Sequence, residues 1–423
     1  MDEKQYQNYI NLLKTELVPA LGCTEPISVA LCSAKCKDVL GVFPNKIDVF
    51  CSGNIIKNVQ GVTVPNSGGL KGIKVAALLG SLSGDPSLGL EVLEKITSKD
   101  REVLKEYLEK DMCKVFLAEN VNNLYIKVYM EDDEGNSAEV VIEEKHTNIS
   151  KIIKNGKVIF SNEFSNVKQT NKDFITYDTI FEFADNVKIE EIKNVLEKQI
   201  EYNYRVAQEG LKGNWGLGIG KEICERYDKN DVRIQARMMA SAASDARMAG
   251  CSYPVVINSG SGNQGLTISL PIIIYAKKYN IAEDKMYRSL IVANLISILQ
   301  KKNIGDLSAF CGATNAAAGA ASGIAYMLGY NKEEISNVIT NTLCSIGGMV
   351  CDGAKGSCAY KISLALEASL FGLELGAKDH KTMPPGEGIV KKDIESTIAA
   401  MGRVGGVGMR NTDKEILNIM LEK

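Results

Sequence analysis

Apolar residues change their spacing near Lys172, and that change limits the architecture of this chain more than any other feature. Upstream, short apolar runs at Ile47–Cys51, Lys114–Leu117, Leu124–Met130 and Ala138–Lys145 read as strands. The turn residues Asp132-Asp133-Glu134-Gly135-Asn136 join the last two as a hairpin. Gly156 marks another turn, between Ile152–Ile153 and Val158–Phe160. Helices are expected near 5–18, 27–40 and 71–82, with irregular backbone from Asn54 to Gly69, where Gly, Asn and Pro recur. Downstream the period is helical and Gly and Ala accumulate. Helices are expected near 174–184, 188–210, 231–248, 264–278, 282–300, 313–330, 332–345, 357–374 and 391–402. Pro271 should kink its helix or move the start later. Ala313–Leu328, built of Ala and Gly around Asn315, suits a tightly packed buried helix. The pattern predicts an α+β fold. A mostly α-helical C-terminal domain spans 172–423, and a smaller N-terminal α+β lobe spans 1–165, with residues 1–45 free to pack on the helical domain. Lys151–Asn171 is the expected linker.

Of the 423 residues, 45% are hydrophobic and 24% charged, the balance of a globular chain with ample core. A formal charge of -3 with no basic stripe argues against nucleic acid as a partner. The first residues, Met1-Asp2-Glu3-Lys4-Gln5, are polar with no apolar stretch behind them, so no secretory signal is expected. No run of about 20 apolar residues exists, so no membrane partner is expected either. The expected location is the cytoplasm. There, 11 cysteines, an odd number, read as reduced thiols, and clustered ones as metal or redox candidates. The only histidines are His146 and His380, which disfavours mechanisms needing several imidazoles, including most zinc hydrolases.

Five segments carry candidate chemistry. In Leu21-Gly22-Cys23-Thr24-Glu25-Pro26, Thr24 can cap a helix and Pro26 suits its first turn. Cys23 then stands at a helix N-terminus, where the dipole favours thiolate; otherwise it is a buried structural cysteine. Cys311 precedes the Ala-rich helix. The loop Gly347–Cys358 holds Cys351 and Cys358 with enough glycine to wrap closely around a group, as thiolate-held iron–sulfur clusters require. Its spacing is neither that of a zinc pair nor that of a ferredoxin. Asn258-Ser259-Gly260-Ser261-Gly262-Asn263-Gln264-Gly265 leads into a helix. It reads as an anion nest for a carboxylate or phosphate, or as a plain glycine-rich turn. Arg247, near the end of a helix, either meets a substrate carboxylate or makes a structural ion pair.

Taken together, Gly22–Pro26, Ser244–Met248, Asn258–Gly265, Cys311–Thr314 and Cys351–Lys355 resemble the L-cysteine desulfidase family, relatives of the iron–sulfur L-serine dehydratases through their alpha-chain domain. The similarity runs over nearly the whole chain. It implies a catalytic helical domain, an oxygen-sensitive [4Fe-4S] cluster, and conversion of L-cysteine to pyruvate, sulfide and ammonia without pyridoxal phosphate. Cys311, Cys351 and Cys358 correspond to the cluster ligands and Cys23 to a catalytic residue. Two departures from the serine dehydratases favour the desulfidase: a shorter gap from Cys351 to Cys358, and no Ser-Ser-His motif.

Three thiolates on a four-iron cluster leave one iron open as a Lewis acid. On this scheme Ser259, Gly260, Ser261, Gly262, Asn263, Gln264 and Arg247 bind the substrate, and Cys23 or Lys355 takes the Cα proton. The expected partner is a small amino acid, and a homodimer is compatible with the chain. Two other enzymes stay open: a serine or related amino-acid β-lyase, and a pyridoxal phosphate enzyme holding phosphate in the 258–265 loop. From another class comes a non-catalytic cluster-binding redox or iron sensor.

Overall fold

The fold was described from a computed structural model covering residues 1–162, 172–305 and 307–422. It is α+β, as the change of period implies. The chain opens with α1 (Glu3–Glu16), capped by the Asp2 carboxylate, then a short β1 (Pro19–Leu21) and α2 (Thr24–Leu40). After β2 (Lys46–Cys51) come α3 (Gly53–Gln60), α4 (Ile73–Ser83) and α5 (Ser98–Glu109). Then follow β3 (Cys113–Leu117), β4 (Tyr125–Glu131), β5 (Ser137–Glu143), β6 (Ile149–Lys154) and β7 (Lys157–Ser161). The six strands from β2 to β7 form one mixed sheet in the order β3-β2-β4-β5-β6-β7. Only β2 and β3 run parallel. Alternation along β4 turns Ile126, Val128 and Met130 inward, where α2 covers them and packs in turn on α4.

The remaining elements are helical apart from one short strand. They are α6 (Tyr177–Asn186), α7 (Lys193–Lys212), α8 (Ile219–Arg226), α9 (Val232–Met248), β8 (Pro254–Val256), α10 (Gly262–Tyr279) and α11 (Glu283–Lys301). Then come α12 (Gly312–Met327), α13 (Lys332–Ile346), α14 (Ser357–Leu373), α15 (Ile394–Arg403) and α16 (Arg410–Leu421). α12 is buried along its length, as its composition implies, between α11, α10 and α14. Its small residues are required: a Cβ on Gly319 would lie 2.5 Å from the Ala293 carbonyl oxygen, and one on Gly323 2.7 Å from that of Ser289. The backbones of α11 and α12 therefore meet closely, and larger residues at the seam would overpack by about 1–3 kcal/mol each.

Several local expectations are corrected. Asn54–Gly69 begins with α3, because Ile55, Ile56 and Val59 fall on one buried helical face that outweighs the scattered Gly and Asn. Helices α5, α8 and α16 lie where none was expected. Of these, α5 carries a capping box in which Thr97 and Asp100 satisfy each other's backbone N–H. Pro271 sits inside α10, which starts earlier than expected and continues past it. Residues 151–161 of the expected linker are paired strands β6 and β7, while 163–171 fall outside the described residues. No helix among the described residues is long and apolar enough to cross a membrane.

Two contacts bring the N-terminal segment onto the helical part. In α1, Tyr9 stacks on Phe183 of α6 at 4.8 Å between ring centroids and its hydroxyl meets Thr179 at 2.7 Å. Strand β1 pairs antiparallel with β8, Ala20 opposite Val255. This second contact matters most for the site. In this register Leu21 meets Pro254, so the loop 258–265 leaves from the opposite end of the pair, beside Val18, and the Thr24 hydroxyl on the Gly260 carbonyl ties it back to the turn that carries Cys23.

Candidate active site

Several chain segments wall one cleft that is partly open to solvent. Cys23 enters from the turn after β1, Cys311 from the loop before α12, and Cys351 and Cys358 from the loop and first turn of α14. Local backbone bonds make the convergence possible. Phe310 bridges Val350 as a short antiparallel pair. Cys311 N–H donates to the Met349 carbonyl at 2.8 Å, and Cys351 N–H to that of Ala309 at 2.7 Å. The two cysteine loops, 40 positions apart in sequence, are thus laced together. Asp413 of α16 adds a further tie, since its Oδ2 accepts from Ala309 N–H at 2.9 Å while its Oδ1 pairs with the buried Lys57 of α3 at 2.5 Å.

Burial pushes the Cys311 thiol up to about 12, and the neighbouring Cys351 adds to the rise; the N–H of Ala313 faces its sulfur and opposes it. Cys358 is raised chiefly by burial too, with the Lys355 N–H facing it. Cys23 packs with Val62 and Met248 in a small apolar cluster that Ala354 and Cys358 cover. It is the N-cap residue of α2, but the expected lowering of its pKa is not found. At 1% exposure, desolvation outweighs the helix dipole and takes the thiol up to about 12, opposed by the Arg247 guanidinium beside it. Thr24 does not cap the helix either. Its hydroxyl turns to the Gly260 carbonyl at 2.8 Å and to Glu25.

The loop after β8 meets the cleft along only part of its length. Ser261, Asn263 and Gln264 are wall residues. Ser259 and Gly260 have positive φ of 48° and 75° and shape the turn, with Gly260 against the His146 ring. The loop's N–H groups are only partly free for an anion: Ser261 N–H bonds back to Asn258, and Gly265 N–H to Ser261. The cation is supplied by Arg247. Gly262 makes room for it, since a Cβ there would lie 2.3 Å from Arg247 Nε. Arg247 is 4% exposed, and its Nε has no hydrogen-bond partner. Lys355 is not brought to the cleft: it pairs with Asp352, as does Lys361. Burial would raise the Asp352 carboxyl, but hydrogen bonds from Lys355 and Lys361 outweigh that and hold it down to about 2.

Sequence reasoning passed over further polar wall residues, among them Glu25, Asn58 and Lys301. Glu25 lay within a quoted motif. Asn58 lay in a segment read as irregular, and Lys301, which is 4% exposed, at the end of an ordinary-looking helix. Among the described residues no three His, Cys, Asp or Glu side chains crowd closely enough to hold a single metal ion.

The serine dehydratase alpha chain family matches residues 87–418. A UPF0597 protein of Finegoldia magna is 48% identical over 419 residues, which cover 99% of this chain and 100% of the relative. A UPF0597 protein of Lachnoclostridium phytofermentans is 46% identical, covering 98% and 100%. UPF0597 protein DSY1109 of Desulfitobacterium hafniense is 45% identical, covering 100% and 98%.

Proposed function

This chain belongs to the serine dehydratase alpha chain family, and we propose that it is an iron–sulfur-dependent L-cysteine desulfidase, a carbon–sulfur lyase yielding pyruvate, hydrogen sulfide and ammonia. The observation that carries this reading is the meeting of Cys311, Cys351 and Cys358 in one cleft with Arg247, Asn263 and Gln264. The donor chemistry fits a [4Fe-4S] cluster. Three soft sulfur ligands stand on two loops laced to each other, two of the sulfurs faced by backbone N–H groups, and a cluster spans more space than a single ion. Buried thiols raised by desolvation and by one another ionise readily only against positive charge, which iron provides. When bound, the cluster supplies a Lewis-acidic iron for the departing sulfur.

The protein's own groups do the rest. Arg247, with the N–H groups at the start of α10, binds the substrate carboxylate. Cys23 lies beside Arg247, whose charge opposes in part the burial that keeps it a thiol, and it moves the Cα proton. Loss of that proton and of sulfide, which leaves with the C–S electron pair, gives 2-aminoacrylate. Tautomerisation and addition of water then release ammonia and pyruvate. The family also favours a second reading, loss of water from L-serine in the same cleft.

Anaerobic reconstitution with iron and sulfide tests both. The expected result is about four irons per chain, a broad visible band, and sulfide and pyruvate formed in equal amounts from L-cysteine. Pyruvate from L-serine alone would move the reading to a dehydratase. A reconstituted protein inert toward every β-substituted amino acid would leave a cluster-binding sensor.

A further inference from the structure

The cleft has one carboxylate among the described residues of its wall, Glu25, and nothing in the elimination chemistry so far requires it. Its two oxygens meet neutral groups: Asn58 Nδ2 donates to Oε1 at 3.0 Å, and the Thr24 hydroxyl, its one proton shared with the nearer Gly260 carbonyl, stands 3.1 Å from Oε2. Neutral donors fix the carboxylate's orientation without cancelling its charge. They also fix Asn58. With Nδ2 committed to Glu25, the amide must present Oδ1 on its other side, and that oxygen is buried without a partner. Gln264, on the same wall, likewise has a buried Oε1 without a partner. Asn58 is 8% exposed and Gln264 4%, so bulk water does not relieve either oxygen. An unsatisfied buried acceptor costs about 1–3 kcal/mol, and two of them beside an anion on one cleft wall leave a shortage of N–H donors at that place.

A primary ammonium fits that shortage. It has three N–H donors and no acceptor, and the wall has three acceptor groups: the Glu25 carboxylate, Asn58 Oδ1 and Gln264 Oε1. Arg247, in the same cleft, is a donor with an unpartnered Nε. The wall therefore pairs an anionic acceptor set with a cationic donor, the complement of a zwitterion. From this we infer that Glu25, oriented by Asn58 and Thr24, seats the α-ammonium group of the substrate, so that the site selects free α-amino acids over carboxylates of the same shape. This rests on the amino-acid reading above and deepens it. That reading needs only a carboxylate anchor and a leaving group; this one adds a requirement for the amine.

Calorimetric titration of the reconstituted protein with L-2-aminobutyrate and with butyrate isolates the ammonium. The two share a carbon skeleton, differ in the amine, and carry no leaving group to turn over. The wild-type protein should bind L-2-aminobutyrate more tightly than butyrate. Glu25→Gln should weaken L-2-aminobutyrate by about tenfold or more, the scale of losing a charged hydrogen-bond partner, and leave butyrate within about twofold. Butyrate binding thereby shows that the variant is folded with its carboxylate anchor intact. Glu25→Asp, which keeps the charge at shorter reach, should restore part of the loss. Equal weakening of both ligands would make Glu25 a structural residue and overturn the inference, as would unchanged affinity for L-2-aminobutyrate. Failure of the wild-type protein to bind L-2-aminobutyrate would instead remove the amino-acid reading, and the ammonium seat with it.

Discussion

Cys32 and Cys36 on the inner face of α2 donate to strand carbonyls: Cys32 Sγ to Val140 at 3.3 Å, and Cys36 Sγ to Val128 at 3.4 Å and Ala138 at 3.3 Å. The cleft thiols live differently. Cys311 and Cys358 face N–H groups and neighbouring thiols, and Cys23 meets the Met248 sulfur at 3.9 Å and the Arg247 guanidinium. Both sets are raised by burial. The sheet thiols are raised in surroundings that welcome S–H as a donor, so protonation completes them. Backbone N–H groups face sulfur in both sets, but Cys358 has no carbonyl closer than 4.0 Å to take its S–H, so deprotonation on a metal would complete it. One residue type thus packs as a small hydrophobe with its S–H satisfied under the sheet, and on the proposed reading acts as a ligand set at the cleft, where close carbonyl acceptors are lacking.

The contrast breaks most sharply on paired substitutions. Cys351→Ser should abolish stable iron uptake on anaerobic reconstitution and take elimination to background, whereas Cys36→Ser should keep full iron content. The cost of Cys36→Ser should appear in denaturant unfolding instead, as about 1–3 kcal/mol for a hydroxyl in an apolar contact. Iron content and unfolding free energy on both variants decide it; equal iron loss in the two would erase the distinction.

A smaller effect is expected at Cys23, which shares burial with the sheet thiols and a location with the cleft ones. Cys23→Ala should retain iron and the visible spectrum while elimination falls by about two or more orders of magnitude, the scale of losing a general base or acid. Loss of iron would make it a ligand, and full activity would make it structural.

The smallest effect concerns a buried acid behind the cleft. Burial raises the Asp245 carboxyl to about 6, against the N–H groups of 217–220 that favour its charge. Its folded pKa lies above its unfolded one, so the native state holds the proton more tightly. The stability this contributes is complete below about pH 4 and is lost as pH rises toward about 6. Wild-type stability minus that of Asp245→Asn should therefore grow on acidification across that window, by at most about 3 kcal/mol. Unfolding at pH 4, 5, 6 and 7 on both proteins would show it, and a flat difference would mean that the N–H groups offset burial fully.

Most helices and four of the six strands of the large sheet were legible because their periods are carried by adjacent residues, whereas β6 and β7 fell in the expected linker. α3 was not, since its buried face holds few residues among turn formers, and α16 was not, since it buries no residue and depends on α3 and on Asp413. At the site, the Cys23, Cys311, Cys351 and Cys358 motifs stood out by their glycine and helix-start contexts. Lys355 did not reach the cleft, because Asp352 lies three positions before it and takes its ammonium. Asn58 could not be found from its own neighbours, because what makes it a wall residue is Glu25, 33 positions away.

By itself, then, the sequence determined the α+β division, the small-residue helix at the core, and which thiols sit beside loops able to wrap a group. These depend on local spacing, and local spacing survives without a fold. Only the tertiary structure decided that β1 pairs with β8, that the loops of Cys311 and Cys351 lace together, and that Cys23 stays a buried thiol beside Arg247. Those outcomes follow from desolvation and from hydrogen bonds between residues distant in the chain, quantities that do not exist until the chain has closed around them.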